Sequence, residues 1–304
     1  MSNIIFGPVL SRRFGKSLGI DLSPHKKQCN FDCLYCELKP TPTMDKYDDV
    51  VSVDDIMKAL VSGLEQHKDI DVITITANGE PTLYPYLSEL IGEIDAIKGE
   101  RTTLILSNGS TIGDEGIRNA LAKLDMVKLS LDCATDECLK KLDRSHSGIN
   151  INSIMEGMLE FKKIYTKPLI IEVLLVKNIN DNFEHIKALN DFLLTLNPTR
   201  IDIGTIDRPP AYAVKPLSSV ELLDIASRFD ATLPVYVVHR KSSDVRAEEY
   251  SDNEILSTLS NRPLSSDDVE ILFNKQSKAR LEKLLSDGKV KNIELYGVNF
   301  YILS

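Results

Sequence analysis

The sequence has little cysteine, no long apolar run and no excess of positive charge. Its 304 residues include five cysteines, and 36 basic side chains stand against 45 acidic ones, which gives a net charge of −9. No window approaches the ~20 apolar residues of a membrane span, and the N-terminal segment has no apolar core of signal-peptide length. We therefore expect a cytoplasmic protein with no membrane contact. The negative charge argues against a partner held mainly through phosphates, although it leaves room for a local basic patch.

The chain is long enough for one large α/β domain and a small accessory one. Apolar runs of strand length recur along it, and most are rich in Ile, Val, Leu and Thr with little polar alternation. That composition favours strands covered on both faces. The predicted strands are Ser17–Leu22, Asp71–Ala77, Thr102–Ser107, Met126–Leu131, Leu169–Val176 and Arg200–Thr205.

Helical patterns lie between these strands. In Val53–His67 the apolar residues are spaced three and four apart, and Ser52 is placed to cap the helix. Similar patterns cover Tyr86–Ile97, Asp114–Leu124, Ile151–Tyr165, Phe183–Leu196 and Ser219–Phe229. The repeated alternation of strand and helix predicts parallel strands with right-handed crossovers. Periodicity alone leaves open a doubly wound sheet, a complete barrel or a partial one.

The C-terminal part of the chain has a different pattern. After a short predicted strand at Val235–His239, the polar stretch 241–251 indicates a linker. Residues 252–304 predict three helices and then two strands broken at Gly297, the pattern of a winged-helix-like domain. Its basic residues gather on the third helix and the hairpin, but acidic residues balance them. We expect this domain to deliver an RNA or polypeptide substrate and not to read DNA.

Three of the five cysteines fall within eight residues, CNFDCLYC at Cys29–Cys36. In a reducing cytoplasm, clustered cysteines more often bind metal than form disulfides. Structural zinc sites use paired C-x2-C units, so the spacing C-x3-C-x2-C suits zinc poorly, although His25 or Asp32 would complete such a site. An iron–sulfur cubane held by three thiolates leaves one iron open for a substrate or cofactor.

The cysteine spacing and its surroundings resemble the radical S-adenosylmethionine (SAM) enzymes. An aromatic residue, Tyr35, stands before the last cysteine. Polar motifs then follow three successive strands, NGEP at 78–81, SNG at 107–109 and SLD at 130–132. Sites in α/β sheets and barrels lie at the carboxyl ends of strands. The stretches GPVLSRRFGKSLGIDLSP, NGEPTLYP and TIDRPP further resemble a bacterial group related to the wyosine (tRNA-imidazoguanosine) synthases.

This resemblance implies a partial (β/α)6 barrel over residues 1–240. Cys29, Cys33 and Cys36 would hold three irons of a [4Fe–4S] cluster, and SAM would chelate the fourth. The 78–81 turn would hold the SAM ammonium with a carboxylate and backbone carbonyls. The SAM-binding residues would be Tyr35, Asn78, Gly79, Glu80, Pro81, Ser107, Asn108, Ser130 and Asp132.

The resemblance also implies a reaction and its partners. Reductive cleavage of SAM would give methionine and a 5′-deoxyadenosyl radical, which abstracts hydrogen from a substrate. The electron donor would be a flavodoxin, a ferredoxin or a reductase, and the substrate a tRNA or a polypeptide. The alternative is a non-enzymatic iron–sulfur or zinc sensor that acts through the winged-helix-like domain, but such a sensor has no need of the NGEP and SNG motifs.

Four charged residues are candidates for the catalytic or substrate-binding machinery. Arg12 and Arg13 suit the binding of a phosphate-bearing substrate, and the alternatives are a solvated arm or a segment that caps one end of the barrel. Asp207 and Arg208 follow the sixth predicted strand, where a substrate residue or a loop-anchoring salt bridge would stand. Asp143, Arg144 and His146 are weaker candidates.

Cys133 and Cys138 remain outside the triad. Two cysteines alone cannot hold a second cluster, so we expect free cysteines that pack as small buried apolar residues. His67, His185 and His239 show no ligand spacing, which indicates ordinary surface or core residues.

Overall fold

The computed structural model describes residues 4–11, 14–237, 247, 249–261, 263–295 and 298–304. A sheet of eight strands follows the chain order from one edge to the other. The first strand is antiparallel to the second, and the others are parallel. The strands are β1 (Ile5–Ser11), β2 (Gly15–Asp21), β3 (Val72–Thr76), β4 (Thr102–Ser107), β5 (Met126–Ser130), β6 (Leu169–Leu175), β7 (Arg200–Thr205) and β8 (Val235–Val237).

Helices connect the parallel strands and begin within two residues of the predicted positions. Ser52 caps the first helix by accepting a hydrogen bond from the backbone N–H of Asp55, as its position predicted. None of the helices in the described part of the chain combines the length and apolar character that a bilayer crossing requires. The helices are α1 (Val53–Gln66), α2 (Leu87–Ile97), α3 (Glu115–Leu121), α4 (Asp136–Cys138), α5 (Ile151–Ile164), α6 (Phe183–Leu196) and α7 (Ser219–Ala226), with a 3-10 turn at Pro81–Leu83 and a π-helical turn at Leu139–Asp143.

The two faces of the sheet differ in chemistry. Because the parallel strands follow one another in chain order and crossovers are right-handed, all the connecting helices lie on one face. On that helix-covered face Val127, Ile171 and Ile201 are fully buried. The alternate residues, among them Lys128 and Glu172, lie on the other face, which we call the open face. On the open face Val72, Leu104 and Ile170 are also buried, so these strands are covered on both faces, as predicted, although the connecting helices lie on only one.

The strand β1 was missed by the sequence analysis. It pairs with β2 through a register that shifts between Phe6 and Val9. The interruption is the pair Gly7 and Pro8, and both residue types weaken a strand pattern. The strand is an edge strand, where such residues are tolerated.

The C-terminal part has a hydrophobic cluster of its own, which includes Ile255, Leu264 and Phe273. Its three predicted helices are present, and Ser265 caps the second. A short extra strand makes the predicted hairpin a three-stranded sheet, while Gly297 lies outside the described residues. The elements are α8 (Asp252–Asn261), β9 (Leu264–Ser265), α9 (Ser266–Leu272), α10 (Lys275–Ser286), β10 (Val290–Leu295) and β11 (Val298–Leu303).

Contacts join the C-terminal part to the first edge of the large sheet. Tyr250 is 5% exposed and donates a hydrogen bond from its hydroxyl to the carbonyl of Pro8 at 2.9 Å. Glu254 lies 3.6 Å from His67 at the end of α1. Tyr250, near the end of the predicted linker 241–251, is therefore a packed residue, whereas residues 241–246 and 248 lie outside the described part.

Candidate functional site

Cys29, Cys33 and Cys36 are free thiols that line one cavity of about 200 Å³. The cavity lies between the loop that follows β2 and the carboxyl ends of the strands. Residues of the three predicted motifs reach the same cavity, as do side chains of the open face. Its other lining residues are Lys27, Phe31, Tyr35, Leu38, Gly79, Glu80, Leu106, Ser107, Asn108, Lys128, Ser130 and Glu172.

Backbone hydrogen bonds fix the cysteine loop, so its thiols are not needed to hold it in place. The N–H groups of Asp32 and Leu34 donate to the carbonyls of Asp143 and Leu142 at 3.0 and 2.9 Å. The carbonyl of Cys36 accepts from the N–H of Ala211, in the loop after β7, at 2.8 Å. The loop is therefore held from two sides while its three sulfur atoms face a shared space.

Burial keeps all three thiols protonated when nothing is bound to them. It raises the pKa of Cys29 to about 12, with a further contribution from the charge of Glu80. Burial and the carboxylate of Asp143 raise the pKa of Cys33 well above its usual range. Burial also raises the pKa of Cys36, although the nearby ammonium of Lys27 opposes that effect. A metal centre bound here must displace protons, and soft thiolate donors suit iron–sulfur chemistry.

Neither side chain that would complete a zinc site stands with the thiols. His25 Nδ1 lies 3.0 Å from the carboxylate of Asp49, and its side chain is 64% exposed. Asp32 is engaged by the ammonium of Lys27 at 3.3 Å and by the hydroxyl of Tyr212. The carboxylates of Glu80 and Glu172 also line the cavity, but the first is hydrogen-bonded to Ser107 and Asn108 and the second pairs with Lys128. Three thiols are therefore the sulfur donors that share the cavity, which fits a cluster with three protein ligands better than a four-ligand zinc site.

Glu80 is a buried anchor and not a solvated turn residue. It is 1% exposed, and its Oε1 accepts from the Thr82 N–H at 3.0 Å and from the Ser107 hydroxyl at 2.7 Å. Its Oε2 accepts from the Asn108 N–H at 2.7 Å. The carboxylate therefore joins the turn after β3 to the turn after β4, and both turns border the cavity.

Gly79 lets the NGEP turn lie directly on the cysteine loop. Its φ is +143°, and a Cβ there would lie 1.8 Å from the carbonyl oxygen of Gln28. Reciprocal backbone bonds join the two segments, from Gln28 N–H to Asn78 O at 2.8 Å and from Glu80 N–H to Gln28 O at 2.9 Å. Any side chain at position 79 would force these segments apart.

Tyr35 and Asp132 form one buried unit at the end of β5. The Tyr35 hydroxyl donates to Asp132 Oδ2, and the N–H of Leu174 donates to Oδ1 at 2.7 Å. Burial raises the pKa of Asp132 to about 7. Asn108, from the SNG motif, donates from Nδ2 to Asn30 Oδ1 at 2.9 Å. Thus the structure brings residues of all three predicted motifs to the cavity of the cysteine loop.

The prediction that Cys133 and Cys138 are free is wrong, because the two are joined in a disulfide. Both are buried, as predicted, at 1% and 9% exposure. Thr135 caps the short helix α4, and that turn brings the two Cα atoms to 5.5 Å. His185 covers the pair, with Nε2 2.8 Å from the carbonyl of Asp132 and 3.7 Å from the Cys138 sulfur. Because the sulfurs are bonded to each other, they are not ligands of a second cluster.

The structure describes only two of the four charged residues that were candidates for substrate binding. Arg12 and Arg13 lie outside the described residues. Arg208 pairs with Glu37 at 3.0 Å, which is the salt bridge that anchors the loop after β7 beside the cysteine loop. Asp207 is its neighbour, and its charge contributes to the raised pKa of Arg208.

Several residues around the cysteine loop were not singled out as functional by the sequence analysis. Lys27 lines the cavity with a side chain that is 6% exposed. Tyr212 reaches back to Asp32, and the guanidinium of Arg144, which the sequence analysis had named as a weaker candidate, stacks on the Tyr212 ring at 4.7 Å. Tyr212 is too far from the triad in sequence for any local pattern to indicate a contact with it. Lys27 stands two residues before Cys29, and this proximity was the one indication that the sequence offered.

Comparisons with known proteins agree with this arrangement. The family model described as the Radical SAM superfamily matches residues 23–193. A UPF0026 protein from Helicobacter pylori is 40% identical over 98% of this chain and 97% of its own length. A UPF0026 protein from Methanocaldococcus jannaschii is 30% identical over 98% of this chain and 95% of its own. Neither relative bears the name of a wyosine synthase.

A solved structure extends the likeness to the fold. A radical SAM methyltransferase from Sphaerobacter thermophilus superposes with a TM-score of 0.59 at 13% identity, over 73% of this chain and 65% of that one. At that identity the likeness concerns the α/β fold with its parallel sheet. The superfamily is one of enzymes that use SAM and an iron–sulfur cluster. On the family model and the two relatives, this chain belongs to the radical SAM superfamily and groups there with the UPF0026 proteins.

Proposed function

We propose that this protein is a radical SAM enzyme that cleaves SAM reductively at a [4Fe–4S] cluster held by Cys29, Cys33 and Cys36. The observation that carries the proposal is the shared cavity, in which three free thiols face the motifs that end β3, β4 and β5. A sensor without catalysis would need the thiols but not an adjoining cavity. When bound, the cluster and SAM would supply a 5′-deoxyadenosyl radical that removes a hydrogen atom from the substrate.

The residues of the chain then have distinct roles. Glu80 uses its carboxylate to hold Ser107 and Asn108, so we assign the binding of the SAM ammonium to the backbone carbonyls of the Asn78–Pro81 turn. This modifies the expectation that the Glu80 carboxylate itself meets the ammonium. Ser130 and Tyr35 border the other side of the cavity, where we place the nucleoside part of SAM, and Asp132 holds the Tyr35 hydroxyl from an adjoining small pocket.

The resemblance to radical SAM enzymes also supports a proposal for the domains and the electron donor. We propose a partial (β/α)6 barrel for 1–240 and a winged-helix-like domain for 252–304. A flavodoxin, a ferredoxin or a reductase would supply the electron.

On α10, Lys278 and Arg280 are paired with Glu270 and Glu249, at 2.6 and 2.7 Å. Because these pairs reduce the charge available to phosphates, we favour a polypeptide over a tRNA as the macromolecular substrate.

The test is anaerobic turnover without substrate. Protein reconstituted with iron and sulfide, reduced with dithionite and given SAM should release 5′-deoxyadenosine, measured by liquid chromatography. Cys33→Ala should abolish the product, whereas Cys138→Ala should retain it. Product formation by Cys33→Ala at the wild-type rate would contradict the proposed ligand set.

A further inference from the structure

Ionised side chains of three neighbouring strands meet on the open face of the sheet. Glu172 on β6 is paired in register with Ser130 on β5 and with Asp202 on β7. Lys128 on β5 and Arg200 on β7 occupy the next layer below. On the opposite face, the alternate residues of the same strands are apolar and fully buried.

Short contacts link these four side chains. Lys128 Nζ lies 2.5 Å from Glu172 Oε1 and 3.3 Å from Asp202 Oδ2. Arg200 Nε donates to Asp202 Oδ1 at 2.7 Å. The charges balance, since two cations face two anions.

Exposure is uneven within this group. The side chain of Asp202 is completely buried and that of Lys128 is 8% exposed, whereas that of Glu172 is 38% exposed. Lys128 and Glu172 both line the cavity that holds the three cysteine thiols. The side chain of Arg200 is 29% exposed, but its guanidinium stacks on the Tyr236 ring at 4.6 Å and does not line the cavity. Of the two charged residues of this group that line the cavity, a molecule entering it therefore meets the carboxylate of Glu172, while the ammonium of Lys128 stays covered by its two partners.

The need to pack the open face of the sheet does not explain why it carries these four charged side chains. Branched apolar side chains pack the inside of (β/α) barrels well, and they avoid the desolvation that buried ions require. Replacing a buried ion pair with apolar residues is often neutral or stabilising. A balanced set of charges facing the reactive cavity is therefore better explained by ligand binding than by stability. Lys128, Asp202 and Arg200 would hold Glu172 in place.

We propose that Glu172 binds a cationic nitrogen group of the substrate, the amine or guanidinium of a lysine or arginine side chain, opposite the cysteine loop. This inference rests on the proposed function and deepens it by naming the group that enters the cavity. Carboxylates bind ammonium and guanidinium groups through charge-assisted hydrogen bonds, and an accessible carboxylate selects cations over anions. The carbon chain next to the bound nitrogen would then lie in the cavity that the thiols line.

Hydrogen abstraction itself can report which molecule occupies the cavity. The reconstituted full-length protein is reduced with dithionite and given SAM, dithiothreitol and one of two probes, perdeuterated 1,4-diaminobutane or perdeuterated succinate. A C–D bond of the probe breaks as a C–D bond forms at the 5′ carbon of deoxyadenosine. The carbon radical left on the probe takes a hydrogen atom from a dithiothreitol thiol. Mass spectrometry measures the deuterium in 5′-deoxyadenosine.

We expect deuterium from the diamine and little from succinate. Glu172→Gln should lower transfer from the diamine by about tenfold, because it removes the charge but keeps the shape. The matched control is Glu160→Gln on α5, where the carboxylate is 53% exposed and pairs with Lys163; it should change nothing. Equal transfer from both probes, transfer that Glu172→Gln leaves unchanged, or unlabelled product throughout would each overturn the inference.

Failure of the proposed function gives a different result, namely no 5′-deoxyadenosine at all from wild-type protein. Equilibrium dialysis with radiolabelled 1,4-diaminobutane then tests Glu172 independently. Wild type and Glu160→Gln should bind the diamine about tenfold more tightly than Glu172→Gln. Equal binding by all three proteins would overturn the inference.

Discussion

The two groups of cysteines in this chain both follow strands of the same sheet, yet their surroundings differ. Cys29, Cys33 and Cys36 are free and line a cavity, whereas Cys133 and Cys138 are bonded to each other and sealed beneath His185. The triad has a cation, Lys27, as its neighbour. Burial lowers the pKa of His185, so the disulfide has a neutral imidazole instead. The number of cysteines therefore does not predict their roles. Whether a cysteine binds a metal or forms a disulfide depends on its access to a cavity and on the charge of its neighbours.

The largest expected difference between the two groups is in iron binding. Cys29→Ala should leave reconstituted protein with no [4Fe–4S] absorbance, because two thiolates cannot replace three. Cys133→Ala should bind iron and sulfide at the wild-type ratio. Iron and sulfide analysis after anaerobic gel filtration checks both variants, and a full cluster in Cys29→Ala would break the comparison.

Alkylation of the iron-free protein should separate the groups by pH. The pKa of Cys29 is raised to about 12, so its thiolate fraction at pH 8 is about a thousandfold below that of an ordinary cysteine. Labelling by iodoacetamide should keep rising about tenfold per pH unit through pH 10 in the folded protein. In urea it should level off near pH 9, and the disulfide should stay unlabelled without reductant. Peptide mass spectrometry measures each site; identical pH profiles in the two solvents would contradict the burial argument.

Removal of the disulfide should affect stability and not chemistry. The bond closes a loop with a sequence separation of 5 residues. The loop-entropy model gives about 2 kcal/mol for a loop of this length. Replacing both cysteines with alanine should therefore lower the free energy of unfolding in urea by about that amount. Cys36→Ala, measured without iron, serves as the control and should change it less.

The smallest expected effect concerns the cation beside the triad. Lys27→Met removes a buried positive charge near Cys36 and should make the cluster harder to reduce, by about tenfold in the reduced-to-oxidised ratio at a fixed potential. Lys26→Met is the matched control, because Lys26 is exposed and pairs with Asp48. A redox titration followed by EPR measures both, and equal midpoints would show that Lys27 does not act on the cluster.

Local patterns were sufficient to predict most of the fold and to bring together the residues of the candidate site. Strand and helix positions followed from periodicity and caps such as Ser52. Because parallel strands end at one edge of a sheet, the strand pattern alone predicted that the NGEP, SNG and SLD motifs lie together. The strand β1 was missed because Gly7 and Pro8 interrupt its pattern.

Long-range contacts account for the rest. The role of Glu80 depends on partners up to 28 residues away, and Tyr212 meets Asp32 across 180 residues. Nothing in the spacing of Cys133 and Cys138 distinguishes a disulfide from two free thiols. The open face was missed because a single Lys or Glu within an apolar strand is a weak signal until the register aligns it with its neighbours.

The most direct test of the central claim is the EPR spectrum of the dithionite-reduced, reconstituted protein with and without SAM. If Cys29, Cys33 and Cys36 hold a cluster with one open iron that SAM binds, adding SAM should change the signal of the reduced cluster, and Cys133→Ala should show the same change. A spectrum that SAM leaves unaltered, or purified protein that holds zinc in place of iron, would contradict the account.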